Sequence, residues 1–143
     1  MIRRLSKFKV PTSDLKQIYI LYVRSVLEFN CCVWHFDITQ AERNEIERVQ
    51  KVACKIILQD SYQSYENALE TLDLENLTER RMNLCLNFAK RCLKFEKTLD
   101  MFPLNELNTN HTRSHEKFRV KHAKTDRLKN SAIPQMQRLL NSC

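Results

Sequence analysis

Six cysteines and four histidines are the side chains of this chain best suited to chemistry: Cys31, Cys32, Cys54, Cys85, Cys92 and Cys143, with His35, His111, His115 and His122. No two cysteines have the C-x-x-C spacing of a zinc knuckle or a redox motif. Cys31 and Cys32 with His35 make half a metal site, but no second ligand pair stands at zinc spacing. No metal and no cofactor are therefore expected. Cys54, Cys85 and Cys92 fall within helical patterns, where a thiol behaves as a small hydrophobe. A disulfide framework is not expected without a secretory signal. The carboxylates do not converge: Glu42, Glu45 and Glu47 lie on one exposed helix, and Asp73 and Glu75 flank a turn. Glycine is absent, so a Gly-rich phosphate loop has no means to form. The histidines have no evident Ser or Cys nucleophile to serve. No catalytic residues emerge, and no enzyme activity is expected of the chain on its own.

What remains is electrostatic. Arg48, Lys51 and Lys55 recur at i, i+3 and i+7 on one side of a helix. That row is either a solvated outer face or a set of phosphate contacts; spacing does not separate the two. From His111 to Cys143 eight Lys/Arg (113, 117, 119, 121, 124, 127, 129, 138) face two acids, Glu116 and Asp126. The segment's net +6 is nearly all of the chain's +7. A basic arm with few apolar anchors commonly stays loose until it meets nucleic acid; the alternative is a solvated extension.

The elements that must carry these groups are helical. Leu15, Ile18, Tyr19, Tyr22, Val23, Val26 and Leu27 fall on one helix face within the stretch Leu15–Trp34, with Gln17, Arg24 and Glu28 on a polar strip. Pro11-Thr12-Ser13-Asp14 supplies its start. Thr39-Gln40-Ala41-Glu42 reads as a capping box opening a second helix to about Leu58, with Ile46, Val49, Ala53, Ile56 and Ile57 as its buried stripe. A short helix is expected over Tyr65–Leu72. A longer one should run from Leu77 to about Phe95, with Leu77, Leu84, Cys85, Phe88, Cys92 and Phe95 inward and Arg80, Arg81, Lys90, Arg91 and Lys94 outward. Ile2, Leu5 and Phe8 at threefold spacing look like the tail of an earlier helix. Residues 105–115 read as a linker, Phe118–His122 as a short strand, and Ile133–Leu140 as a final turn or two beginning at Pro134.

At 143 residues, 43% apolar and 29% charged, the chain is long enough for one modest core and too apolar for a disordered one. Its longest apolar run, Ile18–Val23, is far short of the roughly 20 residues a membrane span needs. The basic N-terminus lacks a signal peptide's apolar core, so a nuclear or cytoplasmic protein is expected. Average usage would supply about ten glycines. Without them, Asn30, Asn105 and Asn130 are expected to close helices. The fold class expected is all-α: a bundle of about four helices over residues 1–102, with a linker and a loosely structured basic C-terminal tail over 103–143.

Four stretches carry a family resemblance: LSKFKVPTSDLKQIYILYVRSVLEFNCCVWH, IERVQKVACKIIL, YQSYENALETLDLENLTERR and FRVKHAKTDRLKNSAIPQMQRLLN. In order and spacing, over essentially the whole chain, they resemble the C-terminal end of the reverse transcriptase of non-LTR (LINE-type, jockey-like) retrotransposons. In that family a "VRSVLEY…VVWH" segment follows the polymerase palm, an "ERVQK-A-RIIL" helix comes next, and the frame often closes on "IP…RLLN". Two departures stand out. Lys9 occupies a position where the family usually has glycine, and Phe29-Asn30-Cys31-Cys32 replaces a turn of aromatic and small residues.

The resemblance implies a thumb-like helical region and tail beyond the palm, truncated at its N-terminus. The family's metal-binding aspartates would lie upstream, and polymerisation needs such carboxylates to hold two divalent ions. What it implies for this chain is at most non-specific gripping of an RNA or DNA backbone, with Arg48, Lys51, Lys55, Arg119, Lys121, Lys124, Arg127 and Lys129 as the contacting residues. The rival expectation is a protein-interaction module or an inert remnant, self-associating through apolar surface that a missing palm leaves bare.

Overall fold

The computed structural model describes residues 2–105, 117–120 and 122–142. The fold is all-α. Among the described residues there is no strand, and one isolated bridge pairs Leu104 with Phe118. No helix among them is long and apolar enough to cross a membrane. The chain forms two compact units, Met1–Phe29 with Thr39–Arg80, and Asn30–Ile38 with Arg81–Cys143.

The first unit opens with α1 (Ile2–Lys7), α2 (Thr12–Ile18), a π-helical segment (Tyr19–Arg24) and α3 (Ser25–Glu28). Helix α4 (Cys31–Trp34) belongs to the second unit. The first then resumes with α5 (Gln40–Leu58), a 3-10 turn (Gln59–Ser61), α6 (Tyr65–Leu72) and the start of α7 (Leu77–Cys92). Helix α5 packs on α1, α2 and α6. Ile2, Leu15, Tyr19, Ala53, Cys54, Ile57, Ala68 and Leu72 make the core, each large aliphatic member contributing about 1.5–3 kcal/mol on burial. The expected capping box is present: Glu42 N–H donates to Thr39 Oγ1 at 3.3 Å, and Thr39 N–H to Glu42 Oε2 at 2.7 Å. Donation from the Thr39 amide and hydroxyl holds the Glu42 carboxyl below its usual range.

The π-helical segment corrects the face expected of the first long helix. Its i→i+5 pattern inserts one residue into the turn, which rotates everything after it by about 100°. Leu15 and Tyr19, at or before it, are buried as expected, but Tyr22 and Val26 are 63% and 70% exposed. Arg24 and Glu28, expected on the polar strip, are turned partly inward instead. There Arg80 Nε donates to Glu28 Oε1 at 2.6 Å.

A chain without glycine still places four of its described residues in the left-handed half of backbone space: Lys9, Asn30, Gln59 and Asp73, at φ 54°, 51°, 49° and 47°. Of these only Asn30 matches an expected closing asparagine; Asn130 is right-handed at φ −92°. Asp73 closes α6 in a Schellman arrangement, with Leu74 N–H donating to Leu69 O at 2.9 Å and Asp73 N–H to Glu70 O at 3.1 Å. Gln59, with ψ −119°, occupies a region that is comfortable for glycine alone. Its side chain returns only one long bond, Nε2 to Ser6 O at 3.5 Å. Gln59→Gly should therefore stabilise the fold by about 1–2 kcal/mol. Urea denaturation checks this, and an unchanged or lower midpoint contradicts it.

The second unit contains α4, the rest of α7, α8 (Glu96–Leu99), α9 (Asp126–Lys129) and α10 (Ala132–Asn141). Ala89, Cys92, Phe102, Phe118 and Met136 form its core, with Cys32, Leu93, Ala132 and Leu140 packed against it. The C-terminal segment is thus an integral part of this unit. Helix α10 starts two residues before Pro134, a position in the first turn where no intrahelical N–H bond is lost. In place of the strand expected over Phe118–His122, a side chain completes the pairing. Asn141 accepts from Phe118 N–H at 2.8 Å and donates to Phe118 O at 3.0 Å.

Candidate nucleic-acid interface and a three-thiol cluster

Arg48, Lys51 and Lys55 lie exposed along α5 in the first unit. None is wholly unengaged. Arg48 Nη1 pairs with Glu45 at 3.3 Å, both side chains 71% exposed, a pair worth a few tenths of a kcal/mol. The Lys51 and Lys55 ammonium groups sit 4.9 Å and 5.3 Å from the Tyr65 and Tyr62 ring centroids. Such contacts fix the direction of a lysine while leaving its charge open to solvent. Arg119, Lys124, Arg127 and Lys129 are exposed in the second unit, and Lys121 lies outside the described residues. The α5 row is one continuous strip. Arg119 and Lys124 lie outside the helices, and Arg127 and Lys129 lie on α9, whose start Thr125 caps by accepting from Leu128 N–H at 3.3 Å.

The inner face of α5 differs from the expected stripe. Glu47 and Gln50 are buried along with Ala53, Cys54, Ile57 and Leu58, while Val49 is 41% exposed. Glu47, expected on an exposed face, belongs to a buried hydrogen-bond network. Tyr19 Oη donates to Gln50 Oε1 at 2.6 Å, and Gln50 Nε2 donates to Tyr65 Oη and to Glu75 O, each at 2.9 Å. Tyr65 Oη donates to Glu47, whose Oε1 also accepts from Leu77 N–H at 3.3 Å. These bonds tie the π-helical segment, α5, α6 and the start of α7 together.

Burial pushes the Tyr19 hydroxyl well above its ordinary value. Burial, then the bond to Glu47, does the same to Tyr65. Both folded groups hold their protons where unfolded tyrosine, at about 10, releases them. The stabilisation is therefore complete below pH 10 and is lost as pH rises above it. Each tyrosine should contribute a slope of about 1.4 kcal/mol per pH unit. Urea midpoints measured from pH 9 to 11 should fall; a flat profile contradicts the network.

Around α2 and α7 of the first unit, Lys16, Arg24 and Arg80 alternate with Glu70, Asp73 and Glu75 along a cleft of about 500 Å³. Its charges are mixed in sign.

In the second unit the inner row of α7 is Arg81, Cys85, Ala89 and Cys92. Arg81, expected outside, is fully buried, its guanidinium carbon 5.5 Å from the centroid of the Trp34 ring. Phe88 and Phe95, expected inside, are 46% and 60% exposed. The same row brings Cys85 to Cys31 and Cys32, and the three sulfur atoms lie within 4.8 Å of one another. Cys31 and Cys85 are buried; Cys32 is partly exposed, its thiol donating to Leu84 O at 3.9 Å. Hydrogen bonding to Cys31, then burial, raises the Cys85 thiol far above the usual range. Burial first, then the neighbouring Cys31, raises Cys32. Among the described residues this is the one group of three or more potential metal ligands, and His35 is not part of it. Local spacing shows only its Cys31/Cys32 half, because its third member comes from a distant helix. Comparison with protein-family models, with curated proteins and with solved structures finds no match.

Proposed function

We propose that the chain is a thumb-like part of a non-LTR retrotransposon reverse transcriptase that grips a nucleic-acid backbone and does not itself polymerise. The observation that carries this reading is the exposed strip Arg48, Lys51 and Lys55 on one face of α5. Cations at helical spacing can meet successive phosphates without reading bases. Arg119, Lys124, Arg127 and Lys129 add charge in the second unit. The resemblance finds support at Lys9, which has φ 54° where the family's pattern carries glycine; a left-handed residue there is what a glycine position requires. Fluorescence anisotropy with single-stranded and duplex RNA, at low and physiological salt, tests the reading. Binding at low salt that weakens steeply as salt rises is expected. No binding at low salt overturns it.

A second reading rests on a different observation. Leu21, Tyr22, Val26 and Phe29 are 62%, 63%, 70% and 77% exposed on the first unit. Apolar surface of that kind suits a protein partner or self-association. Gel filtration across a range of concentrations separates the two: an oligomer that grows with concentration and ignores salt, without RNA binding, favours the interaction module.

A further inference from the structure

We propose that Cys31, Cys32 and Cys85 form a three-sulfur site for a soft monovalent metal ion of the Cu(I) class. The geometry suits such an ion. A metal–sulfur bond of about 2.3 Å to each of three surrounding sulfurs puts those sulfurs about 4 Å apart. The three thiols already lie within 4.8 Å of one another, so closing on an ion takes only side-chain adjustment.

The ligand set points the same way. Three thiols and no carboxylate select a soft ion. Zinc in structural sites takes four ligands, and among the described residues no fourth His, Cys, Asp or Glu atom joins this group. Three-coordinate Cu(I) needs no fourth.

The placement fits as well. Cys31 and Cys85 are 3% and 0% exposed, so the ion would sit away from water, while the partly exposed Cys32 gives it a way in. Cys32 also packs against the core of the second unit, and α10 touches α4. A bound ion would therefore join α4 to α7, with the C-terminal helix packed alongside.

The test uses the full reduced chain under anaerobic conditions, titrated with Cu(I) against a colorimetric Cu(I) chelator. One ion per chain is expected to resist the chelator, with an X-ray absorption spectrum showing three sulfur neighbours. Cys32→Ser should lower the affinity at least about a hundredfold, whereas Cys54→Ala, in the first unit, should leave it unchanged. Cys32 is the variant of choice because its partly exposed side chain tolerates serine, and circular dichroism confirms that the fold is retained. Complete removal of copper by the chelator, equal affinity of Cys32→Ser and wild type, or tighter retention of Zn(II) than of Cu(I) would each overturn the proposal.

Discussion

Gln50→Leu is expected to lower the stability of the fold by about 3–5 kcal/mol, although leucine is close in size and more apolar. Gln50 is fully buried and serves three partners: it accepts from Tyr19 Oη and donates to Tyr65 Oη and Glu75 O. Leucine replaces none of these bonds. Each buried polar group left without a partner costs about 1–3 kcal/mol. Tyr19 is the worst placed, because it is also fully buried. Tyr65 keeps its bond to Glu47 and loses less. Urea denaturation followed by circular dichroism measures the loss, and a change below about 1 kcal/mol would contradict the network. A double-mutant cycle sharpens the test. Tyr19→Phe should cost clearly less in the Gln50→Leu background than in the wild type, since the acceptor has already gone.

The second large effect is on binding. Replacing Arg48, Lys51 and Lys55 together by glutamine should weaken RNA binding about a hundredfold near 0.1 M salt, taking about 0.7 released counterions per phosphate on a single strand. The fold should survive, because all three side chains are exposed and the substitutions remove only one surface ion pair and two cation–π interactions with tyrosine rings. The variant's urea midpoint should stay within about 1 kcal/mol of wild type in stability. A large affinity loss with an intact fold would assign those side chains to the interface.

The all-α class, the capping box at Thr39 and Glu42 and the left-handed Asn30 are legible in the sequence because each rests on local chemistry that a few neighbouring residues specify. The faces are less so. One inserted residue at Tyr19–Arg24 rotates the rest of its helix, and no residue in that stretch announces it. Glu47, Gln50 and Arg81 read as outward-facing, or drop out of the expected core, because hydropathy counts them as polar. Their burial depends on partners from other helices, among them Tyr19, Tyr65 and Trp34. The same limit hides the thiol cluster: Cys31 and Cys32 are neighbours in sequence, but Cys85 reaches them only through the fold. Lys9 and Gln59 show the converse, adopting backbone angles that their residue types do not suggest. The basic candidates follow from charge and spacing alone. Apart from Arg48 and its surface pair with Glu45, the described ones make no ion pair among the described residues.

Phosphates are expected to meet the α5 strip. The most direct measurement is the slope of log affinity against log salt concentration for the wild type and for the Arg48/Lys51/Lys55 glutamine variant on the same single-stranded RNA. A clearly negative wild-type slope is expected, becoming shallower by about 2 in the variant, one increment of roughly 0.7 for each phosphate contact removed. Identical slopes for the two proteins would contradict it.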